Sequence, residues 1–362
     1  MDGAEVEASI TLSDGNIWSH KATGKIVTVG GDIFGNRYYT ETRNTYSQEM
    51  VKLTGQPKVR QSESLTVMMN IDGSTSYTNS KLLYEYTIGE EKSEELPENI
   101  VDREKYIDSV TGLAHIGLLK GVREGSVKDK FDINGDGDTD DFGETNPRGV
   151  FTVEKDLFGN ESHSLTQTDY IIINDQTKES LVKTVSYSEN VDGSLTYTIR
   201  ELNYKYSEKG QLEGVENVAI GEGSVKLNGT EISYSGADNE VVTVGVNSFG
   251  EYYVSRTENR YLNPEEWKGK VLVEWALTAI DATNLDGSKS QTVSYLHYNY
   301  NPENGLLKEE NPVDNIDPRT GEPVLLSAQV SVSGNLYEHT VYASRSPKVD
   351  SVTVGGDIFG NS

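Results

Sequence analysis

A ten-residue string that occurs twice constrains the fold of this chain more than any other feature of its sequence. VTVGGDIFGN stands at Val27–Asn36 and again at Val352–Asn361. Two weaker copies lie between them, one ending at Asn160 and the other at Glu251. Internal repetition is typical of proteins that stack similar structural units along the chain. The sequence therefore predicts an array of related units.

Shorter motifs recur together with these FG motifs. Asp-Gly-Ser follows each of the first three FG motifs, at Asp72, Asp192 and Asp286. Twelve and fourteen residues beyond each Asp stand two Tyr, which form the pairs Tyr84 and Tyr86, Tyr204 and Tyr206, and Tyr298 and Tyr300. A third motif precedes two FG copies, as GNIWSH at Gly15–His20 and GNLYEH at Gly334–His339. Fixed spacing within motifs and variable spacing between them indicate strands of constant length joined by variable loops.

Residue usage around the motifs predicts a mainly β fold. The chain has 21 Tyr against 7 Phe and 3 Trp, and Tyr and aliphatic residues alternate with Thr and other polar residues in stretches such as Leu195–Tyr206. Such alternation is typical of strands, and Asp-Gly and Gly-Asn pairs between them favour tight hairpins. We expect tandem antiparallel β-hairpin repeat units, sandwich-like or solenoid-like, with one small insertion that carries a helix and a calcium loop.

The spacing of the motifs predicts five segments along the chain. They are a first β unit at 1–96, a helix and calcium-loop insertion at 97–147, a second β unit at 148–220, a third at 221–312 and the start of a fourth at 313–362. Apolar residues at helical spacing predict a helix within Asp102–Leu119. A second short helix is expected at Asn263, where Asn can cap and Pro264 can open the first turn.

Two segments after the Tyr pairs resemble a known class of repeats. YKYSEKGQLEGVE at Tyr204–Glu216 and YNYNPENGLLKEE at Tyr298–Glu310 are similar to the YD repeats of Rhs-type proteins and teneurins. Ser207 and Asn301 stand where those repeats have Asp. The resemblance implies long β-hairpin arrays of bacterial extracellular proteins and implies no activity.

One segment has the spacing of a metal site. Asp132–Glu144, DINGDGDTDDFGE, places oxygen-bearing side chains at alternate positions of a short loop, with Gly137 where the loop must turn. Calcium takes six to eight oxygen ligands and accepts irregular geometry. The predicted calcium ligands are Asp132, Asn134, Asp136, Asp138, Asp140, Asp141 and Glu144. The loop resembles EF-hand and dockerin-type calcium loops, but Gly143 replaces their closing acidic residue, so Asp141 or Glu144 would have to close the site.

Charge and composition exclude several classes of partner. The net charge of −26 and the pI near 4.5 disfavour nucleic acid and anionic membranes. The chain has no Cys and therefore no disulfide framework. No apolar run is long enough to insert into a bilayer, and the first residues lack the pattern of a signal peptide. We expect a fragment, without its signal peptide, of a protein that is extracellular or at the cell surface.

No motif in the sequence indicates catalysis. The five His lie in no metal-binding pair or triad pattern, and no phosphate-binding loop is present. We therefore expect a non-enzymatic structural or adhesive segment, stabilised by calcium, whose partners are neighbouring repeats, further copies in a homo-oligomer or filament, or a glycan or surface protein.

Three alternatives remain open at the level of sequence. The first is a carbohydrate- or ligand-binding module that uses exposed aromatic residues, with candidates Trp18, Trp267, Trp275, Tyr84, Tyr86, Tyr204, Tyr206, Tyr298 and Tyr300. The others, ranked below it, are a glycan hydrolase, which needs two close carboxylates in a cleft, and the shell of a YD-repeat toxin, which needs a closed hollow barrel.

Overall fold

The computed structural model describes residues 5–11, 17–127, 148–298, 300–307, 325–332, 335–342 and 350–356. This part of the chain is mainly β and contains one α-helix, which confirms the predicted fold class of antiparallel β-hairpins. Two compact units are present, Met1–Val191 with Glu208–Gly210, and Asp192–Ser207 with Gln211–Ser362. The division into five segments remains a prediction from the sequence.

The first unit is built on one antiparallel sheet. Its strands are β1 (Glu5–Thr11), β2 (Ile17–Thr23), β3 (Ile26–Gly31), β4 (Arg37–Tyr46), β5 (Val59–Met69), β6 (Thr75–Tyr86), β7 (Leu119–Glu124), β8 (Val150–Lys155), β9 (Glu161–Ile173) and β10 (Gln176–Glu189). The sheet order is β3-β4-β5-β6-β8-β9-β10, and β7 pairs with the far half of β6. β1 and β2 form a separate hairpin.

The second unit repeats this plan. Its strands are β11 (Leu195–Tyr206), β12 (Leu212–Asn217), β13 (Gly221–Leu227), β14 (Thr230–Gly236), β15 (Glu240–Val246), β16 (Tyr252–Tyr261), β17 (Val273–Thr283), β18 (Lys289–His297), β19 (Leu325–Val332), β20 (Asn335–Tyr342) and β21 (Asp350–Gly356). Its sheet order is β11-β15-β16-β17-β18-β21, with β12 beside β11 and separate hairpins β13–β14 and β19–β20. Within the described residues, neither unit closes its strand order into a ring.

Each sequence repeat supplies four strands. The FG motif is the turn between the first and second strand, as between β3 and β4, and the Asp-Gly-Ser motif is the turn between the third and fourth, as between β5 and β6. The fourth strand of one repeat then pairs with the first strand of the next. This pairing joins β6 to β8, β11 to β15 and β18 to β21.

Hairpins between the repeats supply cover for the apolar face of the sheet. β19–β20 contains the second copy of the GN motif, and its Leu326 and Ala328 form one core cluster with Val293 and Val352 of the sheet. β14 contacts β15, and Tyr234 of this hairpin lies against Tyr197 of β11. The looser GN relative NGTEISY, at Asn228–Tyr234, is therefore the turn and outgoing strand of a hairpin.

The helices differ from the sequence predictions. The predicted helix at Asp102–Leu119 is wrong, because only Arg103–Tyr106 form a 3-10 turn and Ile107 then bridges back to Ala114. Gly112 allows this reversal with a φ of +71°. The segment instead buries Tyr106 in a cluster with Leu96, Ile100 and Ile172.

The second helix prediction is also wrong. Pro264 begins a series of turns that ends when Gly269 N–H donates to the Pro264 carbonyl. The α-helix that does form is α1 (Gln48–Thr54), which the sequence analysis missed. Its signals are local, since the Ser47 hydroxyl accepts from Met50 N–H and Gly55 ends the helix in the left-handed region.

Candidate functional site

The predicted calcium loop lies outside the described residues. All seven of its candidate ligands, Asp132, Asn134, Asp136, Asp138, Asp140, Asp141 and Glu144, fall in 128–147. Ser126 and Arg148, which are described residues on either side of that segment, form an antiparallel bridge with each other. Within the described residues, no group of three or more His, Asp or Glu side chains is arranged to hold a metal ion.

The three Trp candidates have three different environments. Trp275 is only 5% exposed and belongs to the core of the second unit beside Tyr295. Trp18 is half-buried, and the Arg37 guanidinium lies 4.9 Å from its ring centre. Trp267 is half-buried and meets Tyr300 edge-to-face at 5.9 Å between ring centres. The structure thus brings Trp267 and Tyr300 together and places Trp275 in a core.

All six candidate Tyr are half-buried, at or just beyond the ends of the fourth strands. Tyr86 donates its hydroxyl to the Val59 carbonyl at 3.0 Å, and Tyr300 donates to the Val273 carbonyl at 2.9 Å. Val59 and Val273 are both the first residue of a third strand. Burial raises the pKa of Tyr86 and Tyr300 above the ordinary value. These contacts favour packing between strands as the role of the second Tyr in the pair.

The FG turn is closed by its own acidic residue. In the first copy, Asp32 accepts hydrogen bonds from Phe34 N–H and from both the N–H and the side-chain amide of Asn36. In the second copy, Asp156 makes the same three bonds to Phe158 and Asn160. The bond from the Asn amide holds the pKa of each carboxyl below its usual range. In the third copy Asn247 accepts the two backbone bonds, from Phe249 N–H and Glu251 N–H, and the side-chain bond is reversed, because the Asn247 amide donates to the Glu251 carboxylate.

Neighbouring turns in the first unit are joined by hydrogen bonds. The Asn36 side-chain oxygen accepts from Ile71 N–H at 3.0 Å, and the Asn160 oxygen accepts from Val191 N–H at 2.8 Å. Ile71 also lies over Gly35, where an added Cβ would come within 3.2 Å of its side chain. The same overlap places Leu157 over Gly73 and Val191 over Gly159. The turn tips therefore form a continuous row along one border of the sheet.

This turn row is a functional candidate that the sequence did not reveal. Its apolar side chains are at least 60% exposed, and in the first unit they are Ile33, Phe34, Ile71, Leu157, Phe158 and Val191. In the second unit, Phe249 and Leu285 are exposed in the same way. Single exposed apolar residues are ordinary, but contiguous ones are typical of contact surfaces. The recurrent Phe before each turn Gly was the available sequence signal.

A cavity in the first unit contains a buried carboxyl. Glu124 is 6% exposed, and its Oε1 has no hydrogen-bond partner within the described residues. It lines a cavity of about 380 Å³ with Asn99, Asp169 and Tyr170, among other residues. Loss of hydration raises the pKa of Glu124 to about 7, and its hydrogen bonds with Thr168 oppose that change. A carboxyl with such a pKa can exchange a proton near neutral pH.

Comparisons with known proteins add no assignment. A scan of protein-family models finds no match to this chain, and a search of curated proteins finds no relative. Within the described residues, no helix is long and apolar enough to cross a membrane. The candidate sites therefore rest on their own chemistry.

Proposed function

We propose that this chain is a non-enzymatic structural or adhesive segment of a larger secreted or cell-surface repeat protein, in which calcium stabilises one insertion. The observation that supports it is the pairing of the fourth strand of each repeat with the first strand of the next, as in β6 with β8. Strand pairing of this kind adds units in series, and stability then sums over units and their interfaces.

The turn row supports an adhesive role. It presents Phe and aliphatic side chains on turns whose backbone is already closed by hydrogen bonds, so contact with a partner requires little ordering. The similarity of the Tyr204–Glu216 and Tyr298–Glu310 segments to YD repeats agrees with an extracellular array.

Calcium is part of the same proposal. The loop offers seven carboxylate or amide side chains within thirteen residues, and the flanking residues Ser126 and Arg148 are paired. An ion that binds only the folded loop stabilises the protein by mass action, by about 2.7 kcal/mol at a hundredfold excess over the dissociation constant.

A thermal melt with calcium and with EDTA tests the proposal. The melting temperature of the unsubstituted chain should fall in EDTA, while Asp132→Ala with Asp136→Ala should melt low in both conditions. A control with Glu222→Ala and Asp238→Ala removes the same charge from exposed positions and should respond to EDTA like the unsubstituted chain. Identical melts for all three proteins in both conditions would remove calcium from the proposal.

A second candidate function is glycan hydrolysis at the Glu124 cavity. The specific observation that favours it is that Glu124, with its pKa of about 7, and Asp169 line one cavity, since glycosidases use paired carboxyl groups of which one is protonated. The test is hydrolysis of a panel of chromogenic glycosides. Activity that Glu124→Gln abolishes and the exposed Glu85→Gln retains would support this candidate, and inactivity of the unsubstituted chain on the whole panel would count against it.

A further inference from the structure

The first strand of the first repeat lacks a neighbour that later first strands have. β8, β15 and β21 each pair with the fourth strand of the preceding repeat. β3 is also a first strand, yet among the described residues it pairs only with β4. Its outer edge therefore presents backbone N–H and carbonyl groups without strand partners, which is the arrangement that accepts an added strand.

The pairing of β21 indicates which kind of strand the outer edge of β3 accepts. Residues Val352–Gly356 of β21 have the same sequence as Val27–Gly31 of β3. In β21 this sequence pairs with β18, in a register that sets Val352 opposite Val293 and Thr353 opposite Thr292. Val352 is 5% exposed in that setting, whereas the equivalent Val27 is only half-buried.

The hairpins β1–β2, beside β3, and β19–β20, beside β21, give a second and independent observation. Cross-strand partners align the two hairpins, because Ala8 of β1 faces His20 and Ala328 of β19 faces His339. The inward stripe Leu326, Ala328 and Val330 of β19 is buried, and its first two residues have no exposure at all. The equivalent stripe Val6, Ala8 and Ile10 of β1 is uncovered, with Val6 39% exposed and the other two half-buried.

The strand β18 accounts for the difference in burial between the apolar residues of β19 and those of β1. β19 contacts both β21 and β18, and Val293 and Tyr295 of β18 belong to the same core cluster as Leu326 and Ala328. At β1, no described strand occupies the place of β18. The edge of β3 and the apolar stripe of β1 thus form two sides of a groove that fits one extended strand with alternating apolar or aromatic residues on its inner face.

We propose that this groove binds a strand of the fourth-strand type, an extended segment with the alternation of β18, which pairs antiparallel with β3 and packs against Val6, Ala8 and Ile10. The inference rests on the proposed array function and names the kind of strand that pairs with β3. By equivalence with β21, the partner residue that corresponds to Thr292 should lie opposite Thr28.

A labelled peptide with the sequence of residues 287–297, GSKSQTVSYLH, is the probe, and fluorescence anisotropy against the whole chain measures its binding. We expect saturable binding that is lost when the peptide carries Val293→Ser and Tyr295→Ser, because that change removes the inner face and keeps the backbone. In the chain, Val6→Glu should weaken binding by about tenfold or more, since it puts a charge in the groove.

Val51→Glu is the matched control, because Val51 is exposed to a similar degree on α1, outside the groove. It should leave peptide affinity unchanged. Both substitutions alter already exposed side chains, so the melting temperature of each variant should match that of the unsubstituted chain and exclude unfolding as the cause.

Disulfide trapping tests the register. The chain has no Cys, so no native thiol can compete with the introduced one. The hydroxyls of Thr292 and Thr353 are 2.9 Å apart, so a chain with Thr28→Cys should trap a peptide with Thr292→Cys and not one with Val293→Cys, whose thiol points to the opposite face. Absence of binding, or equal trapping of both thiol peptides, would overturn the inference. Neither result would alter the calcium melt, so the two proposals fail separately.

Discussion

At the scale of single residues, a few polar side chains determine the geometry of the repeated turns. Asp156 satisfies two backbone N–H groups of its own turn, and Asn160 then reaches the next turn at Val191. An Asp or Asn five residues before the next strand is a common turn signal, and the sequence showed that a turn was there. The hydrogen bond between Asn160 and Val191 could not be predicted, because it joins residues that are distant in sequence and depends on strand pairing.

Substitution of Asp156 should distinguish hydrogen bonding from charge. Asp156→Ala should lower the melting temperature, because two backbone N–H groups lose their acceptor, whereas Asp156→Asn should be milder, since Asn247 fills the same role in the third copy. The pKa of Asp156 is lowered in the folded state, so its contribution is present above the ordinary carboxyl pKa and is lost as the pH falls through the folded value. Melts of the three proteins at pH 7 and at pH 3 measure both effects, and equal melting of the two variants at pH 7 would contradict the prediction.

Glu124 should give the opposite dependence on pH. Its pKa rises from 4.5 to about 7 on folding, so the folded state binds more protons between these values and stability falls as the pH rises through that window. Glu124→Gln should remove this loss and stabilise the protein at pH 8 by about 3 kcal/mol relative to the parent. Urea unfolding at pH 5 and pH 8 measures it. Glu85→Gln, at an exposed site, is the control, and the same pH response in both variants would contradict the assignment.

At the scale of elements, period-two alternation and turn motifs predicted the hairpins, since both are local. The alternating segment Leu195–Tyr206 is the strand β11. The predicted helix at Asp102–Leu119 failed because Ile107, Ala114 and Leu118, which have near-helical spacing, pack against a cluster that includes Ile172 of a distant strand. Tertiary burial outweighed a weak local pattern there. The exposure of the apolar stripe of β1 could not be predicted either, because it depends on the lack of a described strand in the place that β18 occupies beside β19.

The turn row should contribute contacts and little stability. Phe34→Ser and Phe158→Ser remove side chains that are at least 70% exposed, so the melting temperature should stay within the error of the measurement. Binding of a hydrophobic dye or retention on a phenyl resin should fall, because the row supplies exposed apolar surface. Phe151→Ser, at a buried position of β8, is the contrasting variant and should lower the melting temperature strongly. Unchanged retention of the double variant would show that the row is not the main apolar surface.

At the scale of the whole molecule, the large negative charge should control how stability responds to salt. With a net charge of −26, repulsion among carboxylates opposes the folded state and added salt screens it. We expect the melting temperature to rise between low and moderate NaCl concentration, with EDTA present throughout so that divalent ions do not contribute. A fall would mean that ion pairs such as Arg256 with Asp281 outweigh the repulsion.

The position of the turns has a consequence for how such a chain can change during evolution. The described FG and Asp-Gly-Ser turns leave one border of each sheet, where each described tip after the first overlaps a glycine of the preceding turn, so an insertion there would disrupt its neighbours. The connections at the other border differ in length, from the two-residue turn at Asn174 and Asp175 to the segment between β6 and β7. The lengths of the turns at the border with the FG and Asp-Gly-Ser motifs are therefore expected to stay constant. The other border is where new loops can be acquired, and where a designer could graft foreign segments without altering the repeat.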